Sequence, residues 1–165
     1  MRRPPSRRGD RSPPPALATA VRMLARREYA RAELRARLLA RGVPESDAAT
    51  APDELAGRGL LSDARCAEAI VAQRAGRYGR RAIAHAMKEK GVEAGAASSA
   101  LASLAGRDEV EEALALWRRR YDAPPADPRD KARQVRFLVA RGYPLSVALA
   151  VLKRAGAAMR DDDVL

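Results

Sequence analysis

The sequence predicts an all-α protein: three tandem three-helix repeats of about 50 residues each, forming an elongated, curved helical array. Three observations predict it. First, one helix ending is written three times, as "ELRARLLARGV" to Val43, "IAHAMKEKGV" to Val92 and "QVRFLVARGY" to Tyr143. Leu38-Arg41-Gly42-Val43, Met87-Lys90-Gly91-Val92 and Leu138-Arg141-Gly142-Tyr143 share one register, and Tyr29 and Tyr78 fall at matching places. Second, only 4% of residues are aromatic and alanine is abundant, which suits close-packed helices better than strands. Third, no stretch alternates apolar and polar residues long enough to make a strand.

Each element follows in order. Residues 1–15 hold five prolines and five arginines; they cannot offset the entropy of ordering by burial and are expected to form a disordered basic tail. The first repeat, 16–61, opens with a helix from Ala16 to Glu28 that places Leu17, Val21 and Leu24 on one face. A second helix, Arg31–Arg41, turns Leu34 and Leu38 inward and stops at Gly42, a left-handed terminator. Pro44 permits a third, Glu45–Arg58, with a glycine stop at Gly59. The second repeat, 62–106, begins with Ser62 as N-cap and Asp63 in the first turn, and its apolar face is Ala67, Ile70 and Val71. Helices over 80–90 and 94–104 follow, ended by Gly91 and Gly106. The third repeat, 107–158, opens with "DEVEEALALWRRRY", acidic first and basic last, as the helix dipole favours. After the proline-rich "DAPPADP" come helices over 129–141 and 146–154, and residues 159–165 read as an acidic tail.

The net charge of +11 argues for a polyanionic partner or an acidic protein surface. Its distribution is uneven. The windows 1–11, 22–41, 74–93 and 118–141 carry +4, +5, +4 and +5, so the remainder is net acidic. In each repeat the bases lie at the end of the first helix and along the second. Stacked repeats would align them as a stripe of Arg27, Arg31, Arg35, Arg37 and Arg41, then Arg74, Arg77, Arg80, Arg81, Lys88 and Lys90, then Arg129, Lys131, Arg133, Arg136 and Arg141. The sequence shows no zinc finger, basic zipper or arginine-flanked aromatic platform, and Tyr29 and Tyr78 read as packing residues. Contacts to nucleic acid are therefore expected at phosphates, without sequence preference.

Other classes find no support. Cys66 is the only cysteine and His85 the only histidine, which excludes an internal disulfide and a Cys/His zinc site. There is no P-loop, dinucleotide turn or paired-metal carboxylate cluster, and the acidic run from Glu109 to Glu112 is explained by the helix it starts. No catalytic residue, cofactor or metal is expected. No apolar run reaches the roughly 18 residues of a membrane span, nor does the N-terminus carry a signal-peptide core. A cytoplasmic monomer is the expectation.

Three segments carry a resemblance: "LARREYARAELRARLLARGV", "ELAGRGLLSDARCAEAIVAQRAGRYGRRAIAHAMKEKGV" and "DKARQVRFLVARGYPLSVALAVL". Together they resemble the RecX family, regulators of the RecA recombinase, over roughly residues 17–155. The resemblance implies three tandem three-helix units that bind within the groove of the RecA–DNA filament. It also implies inhibition of ATP hydrolysis, strand exchange and co-protease function, with no enzymatic activity. This chain departs from the family at Ala30, where a capping Ser or Thr is usual, at Cys66, where an aromatic is usual, and at Met87 in place of leucine. These positions concern capping and packing, and the first should cost about 1 kcal/mol. The residues alone also admit a non-sequence-specific architectural DNA-binding protein, or a helical scaffold for an acidic protein.

Overall fold

The computed structural model describes residues 15–162, and among these it has nine α-helices and no strand. They fall into two compact units, one ending at Ser62 and the other beginning at Asp63. Residues 1–14, read above as a disordered tail, lie outside the described residues.

The first unit holds α1 (Ala16–Leu24), α2 (Arg31–Ala40) and α3 (Glu45–Gly57). α3 packs against both of the others. Leu34, Leu38, Ala48 and Leu55 are fully buried, with Ala20, Met23, Tyr29 and Leu61 closing the core. The expected face of α1 is only partly right. Leu17 and Leu24 pack on the core, but the stripe between them runs through Ala20 and Met23, and Val21 is 45% exposed. The methyl group of Ala20 permits a close helix approach that a β-branched valine would not. α1 also stops at Leu24, short of Glu28, because the chain turns there and delivers Tyr29 to the core. At the start of α2, Ala30 makes no side-chain cap hydrogen bond, as its chemistry requires.

The thrice-written helix ending is a Schellman motif. Gly42, Gly91 and Gly142 all have positive φ, at 82°, 67° and 89°. Each glycine N–H donates to the carbonyl three residues back, and the next N–H donates to the carbonyl five back: Val43 to Leu38 (3.2 Å), Val92 to Met87 (3.0 Å) and Tyr143 to Leu138 (3.2 Å). Those same pairs are the buried hydrophobic contact that accompanies the motif. The register of apolar residue, base, glycine and apolar residue is therefore a statement about backbone geometry, and the base occupies the C-cap.

The second unit holds α4 (Asp63–Arg74), α5 (Arg80–Glu89), α6 (Ala94–Ala102), α7 (Glu109–Arg118), α8 (Pro128–Ala140) and α9 (Leu145–Asp162). α4 packs against α5 and α6, and α9 against α7 and α8. Cys66, Ala67, Ile70, Ile83 and Met87 are buried in the first trio; Leu114, Trp117, Leu138, Tyr143, Val151 and Leu152 form the core of the second. α9 runs past the expected end at Arg154, because Ala155 is still buried and the alanines beyond it favour helix. The backbone of 159–162, read above as part of an acidic tail, continues this helix. Asp108 caps α7 by accepting from the N–H groups of Val110 (3.0 Å) and Glu111 (3.1 Å), which places the acidic run at a helix start. Asp127 caps α8 and Glu93 caps α6 in the same way. Two backbone amides donating to the Glu93 carboxylate, from Gly95 and Ala96, hold its pKa below the usual value.

The two trios of this unit meet backbone to backbone. The Gly79 N–H, just before α5, donates to the Arg141 carbonyl at 2.8 Å. A Cβ on Gly79 would stand 2.5 Å from the Gly142 carbonyl oxygen, and one on Gly142 would stand 2.4 Å from the Ala82 Cβ. Only glycine fits on either side of this joint.

Candidate nucleic-acid interface

In the first unit, Arg27, Arg31, Arg35, Arg37 and Arg41 are all exposed. Four of them meet carboxylates: Arg31 pairs with Asp53 (2.6 Å) and Arg35 with Glu45 (2.9 Å), both on α3, while Glu33 takes Arg27 (2.6 Å) and, more loosely, Arg37 (3.6 Å). Arg41 donates to the Arg37 carbonyl. The acidic third helix thus neutralises part of the base on the second. Exposed pairs of this kind contribute about 0–1 kcal/mol, so a polyanion can displace them. Two arginines not singled out from the sequence, Arg22 and Arg26, join Arg41, Thr19, Met23 and Tyr29 in lining one open cleft. Both lie in the basic 22–41 window, which was the available signal.

In the second unit, Arg81 and Lys88 lie on one exposed face of α5 with His85 between them. Arg80, also exposed, turns to the Leu101 carbonyl (3.1 Å) and ties α5 to α6. Lys90 is half-buried and Arg77 exposed. On α8, Arg129, Arg133 and Arg136 follow at helical spacing and line a shallow groove with Asp127 and Asp130. Lys131 is exposed on another side of the helix. Arg133 is held by Asp130 (2.5 Å); among the described residues no ion pair engages Arg81, Lys88, Arg129, Lys131 or Arg136.

Arg74 and Arg141 are half-buried and belong to a different arrangement. Arg74 lies 5.1 Å from the ring centroid of Tyr78, and Arg141 lies 5.2 Å from the same ring. Arg141 is also 5.4 Å from Phe137, whose ring is 5.6 Å from Arg120, and Arg120 lies 6.0 Å from Tyr121. Tyr121 packs edge-on to Phe137 and stacks on Trp117. The expectation that no arginine-flanked aromatic platform exists is therefore corrected. The sequence hides it because its parts come from three separate segments. Tyr29 is a core residue, as read, although Arg27 covers its ring at 3.6 Å. Tyr78 is half-buried and belongs to the platform.

Cys66 is buried, His85 is exposed beside Glu89 (3.4 Å), and no group of three His, Cys, Asp or Glu able to hold a metal occurs among the described residues. No described helix is long and apolar enough to cross a membrane.

Comparison with known proteins places this arrangement. Residues 16–55, 62–101 and 107–152 match the family models for the first, second and third three-helix domains of RecX. The regulatory protein RecX of Leptothrix cholodnii is 40% identical over 136 residues, which span 82% of this chain and 86% of that protein. That of Thermus thermophilus is 43% identical over 140 residues, 85% and 92% of the two chains. The crystal structure of RecX from Lactobacillus salivarius shares the fold, with a TM-score of 0.68 at 18% identity over 86% of this chain and 95% of that one. The chain belongs to the RecX family of regulatory proteins.

Proposed function

We propose that this protein regulates the RecA recombinase by binding its nucleoprotein filament on single-stranded DNA, and that it inhibits ATP hydrolysis, strand exchange and co-protease activity. The observation that carries the reading is the set of exposed bases left without acidic partners on the second helix of each trio in the second unit, Arg81 and Lys88 on α5 and Arg129, Lys131 and Arg136 on α8. Such faces attract phosphates and acidic protein surface without reading sequence. The three-helix modules, 16–61, 62–106 and 107–158, act as a monomer in the cytoplasm, and the arginines of residues 1–15 raise the association rate by steering. Bases bridging neighbouring protomers would hinder the motions coupled to ATP turnover.

The test is RecA ATPase on single-stranded DNA with this protein titrated in. Inhibition well below the concentration that saturates the DNA supports a filament-directed regulator. Inhibition only at saturation would reduce the activity to competition for DNA, and the absence of any effect would overturn the proposal.

A further inference from the structure

We propose that Arg74, Tyr78, Arg141, Phe137 and Arg120 form a binding platform for a flexible single strand of nucleic acid, with phosphates held by the guanidinium edges and bases against the half-exposed rings. It rests on the reading above only in taking nucleic acid as a partner; the residues are largely different. Cation and ring alternate along the platform, at 5.1, 5.2, 5.4 and 5.6 Å. Among the described residues, none of the three guanidiniums has a carboxylate partner. A guanidinium that lies within about 6 Å of a ring centroid and makes no ion pair keeps donors for a ligand, and its planar fork matches phosphate oxygens. Tyr78, Phe137 and Tyr121 are half-exposed, so their surfaces remain partly open. Base–aromatic stacking together with arginine is the usual chemistry of single-strand grooves. A duplex keeps its bases stacked inside and cannot use the rings, whereas an acidic protein would use the arginines alone.

Joining the trios does not explain the whole set. Only Arg141 spans them, and the Gly79–Arg141 backbone bond with the close Ala82–Gly142 contact already fixes the joint. Arg74 lies over Tyr78, and Arg120 over Phe137 and Tyr121, each within its own trio, so neither bridges the joint.

The experiment measures anisotropy of a fluorescein-labelled oligo-dT and of a hairpin duplex of equal length, using the full chain. The key variant is Arg74→Lys with Arg120→Lys, which preserves charge and removes the planar fork. The comparison variants are Arg74→Gln with Arg120→Gln, and Arg129→Gln with Arg136→Gln off the platform. The lysine pair is expected to weaken oligo-dT binding about tenfold, with duplex binding and melting temperature unchanged. The off-platform pair should weaken both nucleic acids alike. A lysine pair that binds oligo-dT as the parent does, or that loses both nucleic acids equally, overturns the platform. If the off-platform pair alone loses binding, the platform fails while the basic-face reading stands. If the parent ignores both nucleic acids but binds poly-glutamate in a manner that the platform variants abolish, the surface recognises protein and the proposal is refuted. Should the glutamine pair fail to fold, the lysine pair decides.

Discussion

Gly142 and Gly106 offer a controlled measurement of the joint inside the second unit. Both have positive φ, 89° and 83°. A Cβ on Gly106 would meet nothing within 4 Å, whereas one on Gly142 would stand 2.4 Å from the Ala82 Cβ and 2.5 Å from the Ala82 nitrogen. Gly106→Ala therefore costs the left-handed penalty alone, about 1–2 kcal/mol. Gly142→Ala costs that plus relief of the contact. No side-chain rotation can supply the relief, because the obstacles are a methyl group fixed to the backbone and the backbone itself. Overpacking of this kind adds about 1–3 kcal/mol. The expected loss for Gly142→Ala is thus larger by about 2 kcal/mol, and Gly79→Ala, whose φ of −72° carries no left-handed penalty, should cost the contact relief alone. Urea unfolding followed by the fluorescence of Trp117, which lies in the same unit, reads the difference. Equal losses for Gly106→Ala and Gly142→Ala would show that the two trios separate freely at this joint and would refute the argument.

Two further predictions concern chemistry at single groups. The Tyr143 hydroxyl is buried with no hydrogen-bond partner among the described residues, so Tyr143→Phe should stabilise the protein by about 1 kcal/mol at neutral pH; a loss of that size in urea titration would refute it. Burial, and then the carboxylates of Glu112 and Glu109, raise the Tyr143 pKa from 10.0 to about 12. The folded value lies above the unfolded one, so this stability is intact below pH 10 and is lost towards pH 12; the parent should lose on the order of 2 kcal/mol there that the phenylalanine variant keeps. Reversing Arg80, Arg81 and Lys88 to glutamate should weaken DNA and filament binding and flatten the salt dependence by roughly 0.7 per lost phosphate contact. The same change at Arg58 and Arg107, which pair with Glu54 and Glu112, should leave binding intact and lower stability by up to about 1 kcal/mol each.

The fold was largely legible because its punctuation is local. Leu38, Gly42 and Val43 report a helix end within six residues, and the same register at Met87 and Leu138 reports the repeat. Helix faces were less legible where apolar residues surround the axis: in α1, Val21 and Ala20 are both acceptable, and tertiary packing selected Ala20. The extent of α9 was misread because the apolar periodicity fades before the helix does. At the surface, composition revealed which segments are basic but not which bases are already engaged. Arg31 and Arg35 meet α3 carboxylates, whereas Arg81 and Lys88 meet none among the described residues. Part of the aromatic platform is local, since Arg74–Tyr78 and Phe137–Arg141 are four residues apart; what the sequence hid is that Arg141 also reaches Tyr78 and Arg120 reaches Phe137, contacts made only in three dimensions.

The inward position of the second helix reads Leu34 in the first trio, Ile83 in the second and Gln134 in the third, all at 1% exposure or less. Gln134 accepts from the Trp117 indole N–H at 2.8 Å and donates to Asp130, which also receives the Ala126 N–H from the proline-rich loop. The three modules are therefore copies in outline and specialists inside. Grafting α2 or α5 in place of α8 would preserve every backbone turn yet strand a buried indole donor and free the loop that it anchors. The Trp117–Gln134 pair lies wholly within residues 107–158, so moving that module as a whole carries the pair along, whereas exchanging a single helix between modules breaks it.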